Sequence, residues 1–310
     1  LALRPAARYA SSPKPATPPP EPPKKETKAV AVKEGTAVST DVVPDFMKGY
    51  KGQGVENITA NDIETPRIKL LQGVSEEIKI FDNAKPGEFW HSVAEMSLGP
   101  NPRIVPIYVD LRAILWRPRH EGGGILARAD DGQHWVPPNA EFEVRPYKDN
   151  KKVVKWRTKP LVAASGLLDW GSTDPEDPNS APAATRMYNI AVALPDFPEL
   201  GVAVVTLQRS GIRVARKFMG KLKLMSVPSF GTYFTMGITE DSNPSGDSFY
   251  NYTFTQAGLV QTIEEFTMYR ELYEKFKEMG LQIRDLESAQ SDVIEGEATT
   301  SGGDRATPDY

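Results

Sequence analysis

The sequence predicts a mainly β, α+β body, a barrel or a sandwich, held between a proline-rich arm and an acidic tail. Three observations carry that prediction. Short apolar runs recur between turn-forming clusters, as antiparallel strands do. Only one convincing helix separates consecutive strands, which argues against repeated βαβ units. Both ends are poor in apolar residues, so the apolar share over 310 residues is 39% and the core is smaller than the length implies.

Residues 1–56 read as a disordered arm. Its tract Lys14-Pro-Ala-Thr-Pro-Pro-Pro-Glu-Pro-Pro-Lys-Lys25 is stiff and extended, and no apolar period follows it. The acid-free, Arg- and Ser-bearing opening superficially suits a transit peptide, but it is short and interrupted by proline. Order is expected from Asn57 to Gly280. Asn61 to Gly73 is a short helix or an extended segment, and Glu76 to Phe81 reads as a short strand. The run Arg103 to Trp116 is β-rich, with Pro106 calling for a bend or an edge. Phe142 to Tyr147 and Val153 to Trp156 form a hairpin, and residues 171–185 a polar excursion. Strands follow at Met187 to Leu194 and Val202 to Leu207, then a basic helix. A last hairpin joins Tyr233 to Thr239 with Ser248 to Thr255, and a helix from Gln261 to Met279 stops at Gly280. Residues 281–310 are expected to be an acidic, disordered tail, with seven acids against two bases from Arg284 onward.

The basic helix, Gln208 to Leu224, organises the functional reading. At about 100° per residue, Arg209, Arg213, Arg216, Lys217, Lys221 and Lys223 share an arc of about 160°. Ile212, Ala215, Phe218, Met219 and Leu222 oppose them, while Val214 and Leu224 break the division. No acid occurs between Glu199 and Glu240. One face wants a core and the other offers cations to an anion; a merely solvated face is the plain alternative. The net charge of −4 hides this asymmetry, because residues 101–230 hold 19 bases against 13 acids and residues 261–310 hold 5 against 12.

Catalytic signals are thin. There is no cysteine, so thiol metal sites and disulfides are excluded. His91, His120 and His134 lack zinc-ligand spacing, although His120 and His134 could meet Asp130 or Glu121 across a hairpin. Gly122-Gly-Gly124 lacks the strand-to-helix context of a dinucleotide loop and reads as a flexible hairpin tip. Pro44-Asp45 followed by Glu77-Ile78-Lys79 matches the loose layout of metal-dependent nucleases, which would put two carboxylates on a divalent cation. That pattern is common by chance. No cofactor is expected, and no apolar run is long enough to span a membrane.

Binding signals are stronger. Single-stranded nucleic acid is held by cations along its phosphates and by aromatic faces under its bases. Trp116 is followed by Arg117 and Arg119, and Trp156 is flanked by Lys155 and Arg157. Strand alternation puts Tyr250, Tyr252 and Phe254 on one face, which is a stacking platform if it turns outward and packing if it turns inward. The candidate nucleic-acid-binding set is therefore Arg209, Arg213, Arg216, Lys217 and Lys221, with Arg117, Arg119, Lys155 and Arg157, and with Trp116, Trp156 and Tyr252 as stacking residues.

Several segments resemble a family of tailed-phage proteins: Asp62-Ile-Glu-Thr-Pro-Arg-Ile-Lys-Leu-Leu-Gln-Gly73, Pro86-Gly-Glu-Phe-Trp-His91, Trp116-Arg-Pro-Arg-His-Glu-Gly-Gly-Gly-Ile-Leu-Ala127 and Arg213-Val-Ala-Arg-Lys-Phe218. The β-rich body, the helix and the acidic end with its Asp309-Tyr310 terminus are similar in layout to phage single-stranded-DNA-binding proteins. That resemblance, from about Asn57 to Met279, implies an OB-like β-barrel with appended helices. It implies sequence-nonspecific binding of single-stranded DNA, accessory to phage replication or recombination, in the cytoplasm of an infected host cell. Replication or recombination proteins would be recruited through the acidic tail, and a homo-oligomer is left open. The long proline-rich arm and the sparser acids of the tail depart from the pattern. The alternative is a phage structural or assembly protein that meets neighbouring subunits through its arm and tail.

Overall fold

The computed structural model describes residues 64–148, 151–242 and 246–281, together with Gln53, Gly54 and Asn57. By compactness the chain divides into Leu1–Phe46 and Met47–Tyr310, and every described residue belongs to the second unit. Apart from Gln53, Gly54 and Leu281, the arm and the tail expected from the sequence lie outside the described residues; Leu281, expected to open the tail, is instead buried against Ala191 and Val204.

A small sheet opens the body. Strands β1 (Ile68–Leu70), β2 (Phe89–His91) and β3 (Met96–Gly99) pair antiparallel in that order, with helix α1 (Glu76–Ile80) between β1 and β2. The expected strand over Glu76 to Phe81 is thus a helix. Glu76 and Glu77 occupy its first turn and Lys79 its last, complementing the helix dipole at both ends.

The larger sheet is built on β4 (Arg103–Trp116). On one side β4 pairs with β8 (Ala184–Ala193), from Val105 opposite Ala193 to Leu115 opposite Ala184, and β9 (Val202–Gln208) lies beyond. On its other side the start of β4 pairs with β10 (Thr232–Ser242) and its end with β5 (Ile125–Ala129). Strand β11 (Ser248–Leu259) follows β10 as the outer strand. Pro106 sits just past the short β10 pairing, where the β8 register shifts between Pro106 and Tyr108. The missing N–H is accommodated at that bend. A separate hairpin, β6 (Glu141–Val144) with β7 (Val154–Arg157), and the short helix α2 (Val162–Ser165) pack near the far end of β4.

Alternate residues of the large sheet feed two cores. One face presents Ile104, Ile190, Val192, Val205 and Leu207 to helix α3 (Gly211–Leu224) and to Ile68, Leu70 and Phe89 of the small sheet. The other face presents Val105, Ile107 and Ala193, joined by Phe230 from the turn before β10, to Tyr269, Phe266 and Tyr273 of helix α4 (Ile263–Met279). Helices α3 and α4 therefore cover opposite faces of one sheet. The Thr262 side chain caps α4, accepting from the backbone N–H of Glu265 at 3.3 Å and meeting its carboxylate at 3.0 Å.

The OB-like barrel expected from the resemblance is replaced by an open sheet, because β11 and β9 never pair. Residues 66–72 run along both edges without closing a ladder. The Val204 N–H donates to the Pro66 carbonyl at 2.8 Å, and Gln72 meets both backbone groups of Tyr250 at 2.8 Å. Farther along β11, Lys221 donates to the Phe254 carbonyl at 2.7 Å and Gln261 to the Leu259 carbonyl at 2.8 Å. Side chains thus occupy the outward carbonyls that would otherwise invite another strand.

Candidate nucleic-acid interface

Helix α3 follows β9 through a tight turn in which Arg209 adopts a left-handed φ of 49°. Gly211 lies against Leu207, where a Cβ would stand 3.5 Å from the Leu207 Cβ. From there the helix runs back over the sheet. Ala215 and Phe218 are fully buried, Val214, Met219 and Leu222 are half-buried against the same core, and Ile212 is half-buried. Phe218 stacks on Phe254 at 4.2 Å between centroids and meets Phe234 edge-on at 5.0 Å. These rings fix the rotation of α3 and turn its cations outward.

Arg209, Arg213, Arg216, Lys217, Lys221 and Lys223 are all exposed. Arg213, with 85% of its side chain accessible, is 3.5 Å from Asp241 at the end of β10. Lys221 is held by the Phe254 carbonyl. Among the described residues no carboxylate pairs with Arg216, Lys217 or Lys223. Leu224, which broke the expected wheel, stands 88% exposed at the end of the cationic face.

The second expected cluster does not join this face. Across the sheet Gln208, Met187 and Arg112 form one row, and Trp116 lies four residues farther along β4, about 13 Å beyond it. Trp116 is half-buried at the strand end, paired with Ile125, and the neighbouring Arg117 and Arg119 are exposed. Trp156 corrects the expectation of a stacking residue: it is 4% exposed and its indole N–H donates to the Thr173 carbonyl at 3.1 Å. Its companions are neutralised. Lys155 meets Glu141 at 2.9 Å and Glu143 at 3.4 Å, and Arg157 pairs with Glu141. Hydrogen bonds from Arg157 and then Lys155 pull the Glu141 carboxyl down to about 2.

Tyr252 is likewise corrected toward packing. Its hydroxyl accepts from the Leu70 N–H at 3.3 Å and its ring lies 5.9 Å from Phe89, so the Tyr250, Tyr252 and Phe254 face is turned inward. Trp170, which was not singled out in the sequence, is 72% exposed. It lies beside Asp169 and precedes the loop bearing Asp174, Glu176 and Asp177, surroundings that repel phosphate. A tryptophan between turn residues, outside any alternation, was the available signal.

No metal-binding group of three His, Asp or Glu residues occurs among the described residues. His120 bonds the Arg145 carbonyl at 2.7 Å, and His134 bonds Asp131 at 2.6 Å. Glu77 is paired with Lys69 at 2.9 Å, and Asp45 of the nuclease-like pattern lies outside the described residues. Also among the described residues, no helix is long and apolar enough to cross a membrane.

The architecture is an open antiparallel sheet clad by a cationic helix on one face and a second helix on the other. Residues 33–282 match the model of the family described as Pam3 phage gp34-like protein, and the chain belongs to that phage family. No curated protein and no solved structure matches the chain.

Proposed function

We propose that this phage protein binds nucleic acid through the outer face of α3, as a sequence-nonspecific single-stranded-DNA-binding accessory to phage replication or recombination. One observation carries the reading: Arg216, Lys217 and Lys223 stand exposed on a rigid helix with no described carboxylate beside them. Fixed cations along one face suit a polyanion whose phosphates are evenly spaced. Arg213 joins the contact once phosphate displaces Asp241, an exposed pairing of little intrinsic strength. Trp116 with Arg117 and Arg119 is a separate, outlying contact for a longer strand.

The reading rests on phosphate contacts more than on stacking, since Trp156 and Tyr252 are occupied in the fold. It therefore expects affinity to depend steeply on salt and weakly on base identity. Fluorescence titration with labelled oligonucleotides over a salt series tests it. Binding at low salt that weakens log-linearly with salt supports the reading, and absence of binding at low salt ends it.

A further inference from the structure

The two helices covering the large sheet present opposite charges. Helix α3 carries Arg213, Arg216, Lys217, Lys221 and Lys223 and no acid. On α4 a step of about 100° places Glu264, Glu271, Glu274 and Glu278 within an arc of about 80°, with Lys275 at its margin. All four glutamates are exposed, and the described partner among them is Lys277, 3.8 Å from Glu274 on the same helix. Tyr269, Phe266 and Tyr273 occupy the inward side of α4. Large apolar side chains stand exposed beside both stripes: Leu224 at the end of α3, and Met268 and Met279 on α4.

We propose that the cationic face of α3 docks on the acidic face of α4 of a second copy, giving head-to-tail chains. The occupant follows from charge complementarity within one sequence. Since α3 and α4 cover opposite faces of the sheet, a two-fold contact through either face would set α3 against α3, or α4 against α4, and so oppose like charges. The heterologous pairing opposes unlike ones. Lengths also match, at about 21 Å for the 14 residues of α3 and about 25 Å for the 17 of α4. Because the two faces lie on opposite sides of the sheet, each docked pair leaves one face of each kind unused. The array stays open rather than closing as a dimer. This inference does not depend on nucleic-acid binding. It adds that a polyanion on α3 competes with the next copy and shortens the chains.

Sedimentation velocity of the full chain, over a concentration series at low and high salt, reads the association. Two charge-reversed proteins decide it: Arg216→Glu with Lys217→Glu, and Glu271→Lys with Glu278→Lys. Circular dichroism checks that both remain folded. Each alone is expected to associate roughly a hundredfold more weakly than the unsubstituted chain. Mixed together, they are expected to associate again, because the unaltered acidic face of α4 on the first protein meets the unaltered cationic face of α3 on the second. Wild-type chains that stay monomeric at low salt, or variants that associate alone as strongly as wild type, overturn the proposal. So does a mixture that stays monomeric. The Glu271→Lys, Glu278→Lys protein retains the α3 face, so its oligonucleotide binding reports the nucleic-acid reading separately from the docking.

Discussion

Phe218 of α3 stacks on Phe254 of β11 with ring centroids 4.2 Å apart and planes inclined by 15°. This contact fixes the helix to the sheet and, through the helical period, aims its cations at solvent. Phe218→Ala removes a fully buried ring and is expected to cost about 3–5 kcal/mol of stability. Urea unfolding monitored by circular dichroism measures that loss. A cost below about 1 kcal/mol would mean that α3 is not seated as described.

Lys221 differs from its neighbours because its ammonium serves the Phe254 carbonyl at 2.7 Å. Lys221→Met keeps the stem and deletes the donor. The expected result is about 1 kcal/mol lower stability, read in the same unfolding experiment. Self-association through the uncovered edge should rise as well, which light scattering detects.

The cations fall into two groups that titration separates. Arg216→Ala and Lys217→Ala should each reduce the slope of log affinity against log salt by about 0.7 for single strands. Lys155→Ala and Arg157→Ala should leave that slope unchanged, since both side chains already pair with Glu141.

Stability should fall on mild acidification because of His91. Its Nδ1 accepts from the Ala94 N–H at 3.0 Å, so the neutral ring carries its proton on Nε2, which is buried without a partner. Burial lowers the pKa of the ring from its ordinary 6.5. Between that value and the lowered folded one, the unfolded chain binds a proton that the folded chain does not. The contribution is therefore full above about 6.5 and is lost as pH falls below it. Denaturation midpoints measured from about pH 7 to about pH 5 should decline, and His91→Gln should flatten the decline.

Local patterns made much of this fold legible. The basic helix shows in its apolar period and its paired cations, α4 in its spacing and Gly280, and the β6–β7 hairpin in its two alternating runs. The α1 helix was missed because five residues are too short for a period to distinguish helix from strand. Sheet closure was equally hidden. Whether β11 meets β9 depends on Gln72, Lys221 and the 66–72 segment, contacts far apart in sequence that no local pattern encodes. At the site, the charge of Lys155 and Arg157 was readable, but their pairing with Glu141 was not. Trp156 showed the same limit, since alternation in a strand says that one face is inward without saying which.

The most direct test is the salt-dependent titration of a single-stranded oligonucleotide with the unsubstituted chain and with Arg216→Glu, Lys217→Glu. Tight binding at low salt by the first, and its loss in a folded second, is the predicted result. Equal binding by both would place the contact elsewhere than on α3, and no binding by either would remove nucleic acid as the ligand.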